Sequence, residues 1–119
     1  MIKHIAFTMY PVKNMVRARR FYEEDLGLEV GHNAAGGAWI EYYLDNGCFA
    51  ITTLAEGTRP DADSGGCIAF EVDELDGLLA RLRARKIAVK IEPFETPVCR
   101  MAFVVDPEGN ALCLHAKKE

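Results

Sequence analysis

A chain of 119 residues, half of them hydrophobic, suits one compact domain with a modest core and leaves no room for a second. Eighteen Asp and Glu against fourteen Lys and Arg give a net charge of −4, which argues against a nucleic-acid partner. The first residues carry no leader-like pattern and no span of about 20 apolar residues occurs, so a cytoplasmic protein that does not enter a membrane is expected.

Residues 2–9 alternate and are rich in β-formers, which predicts a first strand, and Pro11 marks its irregular exit. Asn14 is a candidate N-cap for a helix in which Met15, Ala18, Phe21, Tyr22 and Leu26 recur near helical spacing until Gly27 stops it. Three β-like runs follow, at 28–32, 38–44 and 48–54, punctuated by Gly36 and Gly37 and by the hairpin signal of Asn46 and Gly47. Residues 55–66 are polar and turn-rich, as a surface linker would be. Beyond the linker the order restarts. Residues 67–72 predict a strand, and 75–85 a helix with Leu75, Leu78, Leu79 and Leu82 on one face. Further strands are predicted over 88–94, 99–105 and 111–116, the last two joined by the turn Asp106, Pro107, Glu108, Gly109, Asn110. The four cysteines, Cys48, Cys67, Cys99 and Cys113, are widely spaced, form no CxxC pair and fall within expected strands, so reduced thiols are expected.

The pattern is an internal duplication: a strand, a helix and three strands, twice, with Ile5, Ala6, Phe7 echoed by Ile68, Ala69, Phe70. It predicts an α+β domain of two tandem βαβββ modules, one over 2–54 and one over 67–116. The modules would form a curved mixed sheet around a concave cavity, with the helices on the convex face.

The residues themselves then resemble a known family. Phe21, Tyr22, Glu23, Glu24, Asp25, Leu26, Gly27 is similar to the FY…LG signature of the vicinal-oxygen-chelate superfamily, which includes glyoxalases, bleomycin-resistance proteins and dioxygenases. Asp106 to Asn110 matches its DPxGN turn. The resemblance covers residues 2–116. It implies homodimers and, for the enzymes of the family, metal ligands on the first and fourth strands of each module: two His and two Glu in glyoxalases, two His and one Glu in dioxygenases. Carried over, those positions fall on Thr52, Cys67 and Cys113, none of them His or Glu. The first-strand position has two readings. Aligning the Ile-Ala-Phe repeat places His4 opposite Cys67 and sends Ile5, Phe7 and Met9 into the core. Counting back from Phe21 and Tyr22 places Phe7 there instead.

Hard oxygen-and-imidazole metal sites need several converging carboxylates or imidazoles, which this set lacks, so no metal is expected. The alternative is zinc or another divalent metal on His4, Cys67 and Cys113. Strand alternation nominates a ligand-facing set: Phe7, Trp39, Glu41, Tyr43, Thr52, Cys67, Cys99, Met101, Phe103, Cys113 and His115, with small residues Ala50, Ala69 and Ala111 leaving space. Glu41 and His115 are the candidates for proton transfer should there be catalysis. Arg100 either clamps a carboxylate or faces solvent. The expected partner is a small organic molecule, bound as the antibiotic-sequestering branch of the family binds its drugs. The alternative is a lyase, isomerase or dioxygenase with a remodelled metal site or metal-free acid–base chemistry.

Overall fold

The computed structural model describes all 119 residues and divides them into two compact units, Met1–Pro60 and Asp61–Glu119. The division falls in the polar linker, and each unit is one βαβββ module.

In the first module β1 (Thr8–Pro11) leads to α1 (Met15–Arg19), which widens into π-helical turns over Arg20–Asp25, followed by β2 (Val30–Ala34), β3 (Trp39–Leu44) and β4 (Gly47–Thr52). The sheet order is β1-β4-β3-β2, with β1 parallel to β4 and the remaining pairs antiparallel. Asn14 caps the helix as its position predicts, its Oδ1 accepting the Arg17 amide at 3.0 Å. The wide turn, closed by the Leu26 amide on the Phe21 carbonyl at 3.0 Å, lets the consecutive aromatics Phe21 and Tyr22 both be buried. Gly27, at φ +77°, then releases the chain.

Under this helix lies an aromatic core. The Phe49 ring centroid is 5.1 Å from that of Tyr22 and 6.3 Å from that of Tyr42, against which it stacks, while Ile40 and Ile51 fill the sheet beside them. The Tyr42 hydroxyl reaches through the core to donate to Glu23 Oε2 at 2.9 Å, where Arg19 Nε also binds at 2.7 Å. Burial, and then the Glu23 carboxylate, push the Tyr42 phenol well above its ordinary range.

The first strand departs from expectation. Residues 2–7 lie outside β1, with Ile2 97% and Ile5 84% exposed. The cause is the partner strand. β1 pairs in parallel with β4, starting at Thr8 opposite Phe49, and β4 begins only at Gly47 in its hairpin turn, so residues 2–5 find no backbone to pair with.

The second module follows the same plan. β5 (Ile68–Glu71), α2 (Leu75–Ala84), β6 (Ala88–Glu95), β7 (Cys99–Val105) and β8 (Ala111–Lys117) give the sheet order β5-β8-β7-β6, with β5 parallel to β8. Leu75, Leu79 and Leu82 of α2 are buried, as are Ala102, Val104, Leu112 and Leu114 on alternate positions of β7 and β8. Arg100 shares the parity of Ala102 and Val104 and binds Asp76 at the start of α2 through two guanidinium nitrogens at 3.2 and 3.3 Å, which accounts for it on the helix side of the sheet. Cys67 sits just before β5 rather than within it.

The β7–β8 turn is a polar knot around a buried carboxylate. Asp106 Oδ1 accepts the Glu108 and Asn110 amides, both at 2.9 Å, Asp106 Oδ2 accepts Asn110 Nδ2 at 3.2 Å, and Gly109 supplies the φ of +105° that closes the bend. No helix is long and apolar enough to cross a membrane. Asp106→Ala strips two amides of a charged acceptor and should cost about 1–3 kcal/mol of stability, read as a lower denaturation midpoint at unchanged m-value. Asp106→Asn, which keeps one acceptor oxygen, should lose less.

Candidate functional site

In each sheet one set of alternate side chains packs under the helix and the other set faces away from it. On β3 of the first module Ile40 and Tyr42 are the buried set, which turns Trp39, Glu41 and Tyr43 to the open face. There they form one hydrogen-bonded unit. Trp39 Nε1 donates to Glu41 Oε2 at 2.8 Å, and the Tyr43 hydroxyl donates to Glu41 Oε1 at 2.8 Å. The Trp39 indole, then the Tyr43 hydroxyl, hold the Glu41 carboxyl below the ordinary carboxylate range, and Tyr43 is raised in turn by Glu41. Phe7 meets the Trp39 ring edge-on at 5.4 Å between centroids. Sequence parity sets Trp39, Glu41 and Tyr43 on one face, and of the two first-strand readings the structure takes the one that places Phe7 beside them. Two neighbours escaped it: His32, the register partner of Glu41 on β2, and Gly31, which lies in a register irregularity of that strand.

On the second module the open face carries another polar pair. Glu71 of β5 is the register partner of His115 of β8. His115 Nδ1 bonds Glu71 Oε1 at 2.5 Å, while Glu71 Oε2 accepts the Lys117 amide at 2.7 Å. The Lys117 amide, followed by His115, lowers the Glu71 carboxyl. A carboxylate on Nδ1 fixes the neutral ring as the tautomer with Nε2 free to accept. Glu71 was not legible as a partner, because only the β5–β8 register sets it beside His115. Glu41 and His115, nominated together for proton transfer, belong to different modules, and each has a local partner set of its own.

The remaining candidates are placed as follows. Cys113 Sγ contacts Met101 Sδ at 3.8 Å, and burial pushes the Cys113 thiol up to about 11, so it is a thiol at neutral pH. Phe103 stacks on Phe94 at 6.5 Å. Cys99 is buried at the start of β7 with its sulfur 3.0 Å from Thr96 Oγ1, and Thr52 is buried with its hydroxyl donating to the Ala38 carbonyl at 2.8 Å and accepting the Leu54 amide at 2.9 Å. Each of these two strand-end side chains is engaged by the local backbone or a neighbouring side chain. Cys67 is exposed, with its sulfur 3.6 Å from the Ala111 carbonyl.

Backbone bonds settle how the modules correspond. The Val12 amide donates to the Thr52 carbonyl at 2.9 Å as the Val72 amide donates to the His115 carbonyl at 2.8 Å. Stepping back along the paired strands, Phe7 is the counterpart of Cys67, and Ala50 rather than Thr52 that of Cys113. The register that put His4 opposite Cys67 and drove Ile5 and Phe7 into the core is therefore corrected: Ile5 is exposed and Phe7 stands on the open face against Trp39. His4 precedes β1 and is exposed. The positions that bear metal ligands in the enzymes this chain resembles carry a phenyl ring, a methyl group and two thiols, and no three His, Cys, Asp or Glu side chains gather within either module. That donor set does not fit a hard divalent ion, which takes carboxylate and imidazole ligands.

Two measurements check this geometry. The Glu41 carboxyl, followed by carbon-detected NMR, should titrate below the ordinary range of a free carboxyl and move back up toward it in Trp39→Phe, which deletes the larger of its two donors. Alkylation by iodoacetamide at pH 8 should modify exposed Cys67 before Cys113, whose buried thiol stays protonated there; the reverse order would contradict the packing around Met101.

The comparisons agree with this fold. The family model for the Glyoxalase/Bleomycin resistance protein/Dioxygenase superfamily matches residues 2–114. TnmS3, an antibiotic binding protein from Streptomyces sp. CB03234, is 26% identical at a TM-score of 0.79, covering 98% of both chains. A glyoxalase/dioxygenase from Nostoc punctiforme is 19% identical at 0.79, covering 98% of this chain and 92% of its own. A lactoylglutathione lyase from Agrobacterium tumefaciens is 21% identical at 0.72, covering 97% and 94%. These last two speak to the fold alone. No curated protein matches the chain. With its family model spanning nearly the whole sequence and both modules built on the same βαβββ plan, the chain belongs to the Glyoxalase/Bleomycin resistance protein/Dioxygenase superfamily.

Proposed function

We propose that this protein is a binding member of its family, which holds a small organic ligand against the open faces of its sheets and does so without the family metal. The observation that carries the reading is the Glu41 carboxylate, fixed by Trp39 Nε1 and the Tyr43 hydroxyl on a face lined by Phe7. Aromatic planes around one ordered polar group suit a flat, partly apolar molecule. The donor chemistry at the family's ligand positions points the same way, since Phe7 and Ala50 offer no lone pair and Cys113 holds its proton at neutral pH. The likeness to a protein described as antibiotic binding supports a sequestering role. On this reading the protein works in the cytoplasm as a homodimer.

A catalytic reading draws on one feature. Glu71 orients His115 so that Nε2 can take a proton from a bound molecule, the arrangement of a general base with its positioning carboxylate. It would serve a lyase, isomerase or dioxygenase-type reaction only if turnover exists.

The test is elemental analysis of protein purified without chelator or affinity metal, paired with a thermal-shift screen of small aromatic and heteroaromatic compounds. The expected result is metal at background and a set of compounds that raise Tm in the parent but not in Trp39→Ala. Stoichiometric zinc, iron or nickel, lost in Cys113→Ser, would overturn the metal-free reading; turnover abolished by His115→Gln would replace binding with catalysis.

A further inference from the structure

We infer that the Trp39–Glu41–Tyr43 unit is a recognition site for an organic cation bearing N–H donors on a planar group, and that Gly31 is the residue that lets Tyr43 complete it. The inference rests on the binding reading above and adds the class of ligand.

Each Glu41 oxygen accepts one bond within the protein, from Trp39 Nε1 or from the Tyr43 hydroxyl. A carboxylate oxygen has two lone-pair directions, so one acceptor site on each oxygen remains to be filled. The two indoor donors fix the plane of the carboxylate and hold it ionised, yet neither neutralises it. The only other group that favours its charge is His32, across the strand pair. Flanking the carboxylate are an indole and a phenol, the two ring types whose faces attract cations best. A planar group with two parallel N–H donors, such as an amidinium or guanidinium, matches the two free sites of the carboxylate and offers its positive face to the rings. A neutral ligand would gain the stacking without the charge. An anion would meet the Glu41 carboxylate directly.

Gly31 supplies the seat. A Cβ placed there would lie 2.4 Å from Tyr43 Cδ2, 2.6 Å from Cγ and 2.7 Å from Cε2, so the phenol ring rests directly on the β2 backbone. Gly31 has no unusual φ; what requires glycine is the ring, not the backbone. Any side chain at position 31 must lift Tyr43, and its hydroxyl leaves Glu41.

Trp39 is the single tryptophan, and its indole nitrogen touches Glu41, so its fluorescence reports on the site. The probes are three near-isosteric molecules, benzamidinium, benzamide and benzoate, titrated at pH 8 into the full-length protein. Saturable quenching by benzamidinium, with benzamide weaker and benzoate without effect, is the expected result. Glu41→Gln should weaken benzamidinium by roughly tenfold or more, the worth of a charged hydrogen bond. Gly31→Ala should weaken it as Tyr43→Ala does, with no further loss in the double variant, because both act through one ring. Far-UV circular dichroism of each variant keeps a folding defect apart from a binding one.

Equal quenching by benzamide and benzamidinium, insensitive to Glu41→Gln, would overturn the cation inference and leave the binding reading standing. Benzamidinium binding that survives Gly31→Ala undiminished would remove Gly31 from the site. Failure of all three probes overturns the cation site, and hits from the thermal-shift screen that depend on Trp39 then decide whether the broader reading stands.

Discussion

Parallel pairing of the first strand of each module with its last strand governs everything else in this chain. In both modules it sets the first strand at the edge of an open four-stranded sheet and, with the antiparallel pairs beside it, decides which alternate side chains are spent on the core and which remain for chemistry. Phe49 and Ile51 face the helix because Thr8 meets Phe49; Cys113 and His115 face away because Ile68 meets Leu112. A slip of one residue in either pairing would turn Tyr10 of β1, or Ile68 and Phe70 of β5, from the helix side of the sheet to its open face. The heavy aromatic load of the first core, Phe21, Tyr22, Tyr42 and Phe49, and the leucine load of the second hold these registers in place.

With the register set, the open faces acquire distinct electrostatic characters. The first module presents a carboxylate bound by two aromatic donors. The second presents a carboxylate bound by an imidazole and a backbone amide. Both carboxyls lie below their ordinary range, for the same reason: hydrogen bonds to the charged form outweigh the small cost of partial burial. The consequences differ. Around Glu41 the donors are rings, so the charge comes with a flat apolar surface. Around Glu71 the donor is itself titratable, so the charge sets a tautomer.

The chain keeps the family's βαβββ plan in both modules. At the strand positions where the resemblance implies metal ligands, the backbone presents Phe7, Ala50, Cys67 and Cys113, and the nearby polar groups lie elsewhere along the same strands. His115 and Glu71 lie beyond Cys113 and Cys67 on the same face of the second sheet. Alternation keeps side chains two positions apart on one side of a sheet, so a polar group two or four residues along a strand still stands on the same face.

Spacing within a few residues was enough for the two βαβββ units, the Asn14 cap and Gly27 stop of the first helix, the hairpin and DPxGN turns and the face on which Trp39, Glu41 and Tyr43 stand, while Phe7 kept two possible facings until the strands were paired. What it could not determine depends on which strand lies beside which. The echo of Ile5, Ala6, Phe7 in Ile68, Ala69, Phe70 suggested an alignment three residues out of step, and only the Val12–Thr52 and Val72–His115 backbone bonds corrected it. Arg100 was left open until Asp76 of α2 arrived beside it, and Glu71 had no visible role until β5 paired with β8. Nothing in the local pattern singled out Gly31, on which the Tyr43 ring comes to rest. Local pattern decides which way a side chain points; tertiary pairing decides what it meets, because partners distant in sequence are brought within hydrogen-bonding range only by the register of the finished sheet.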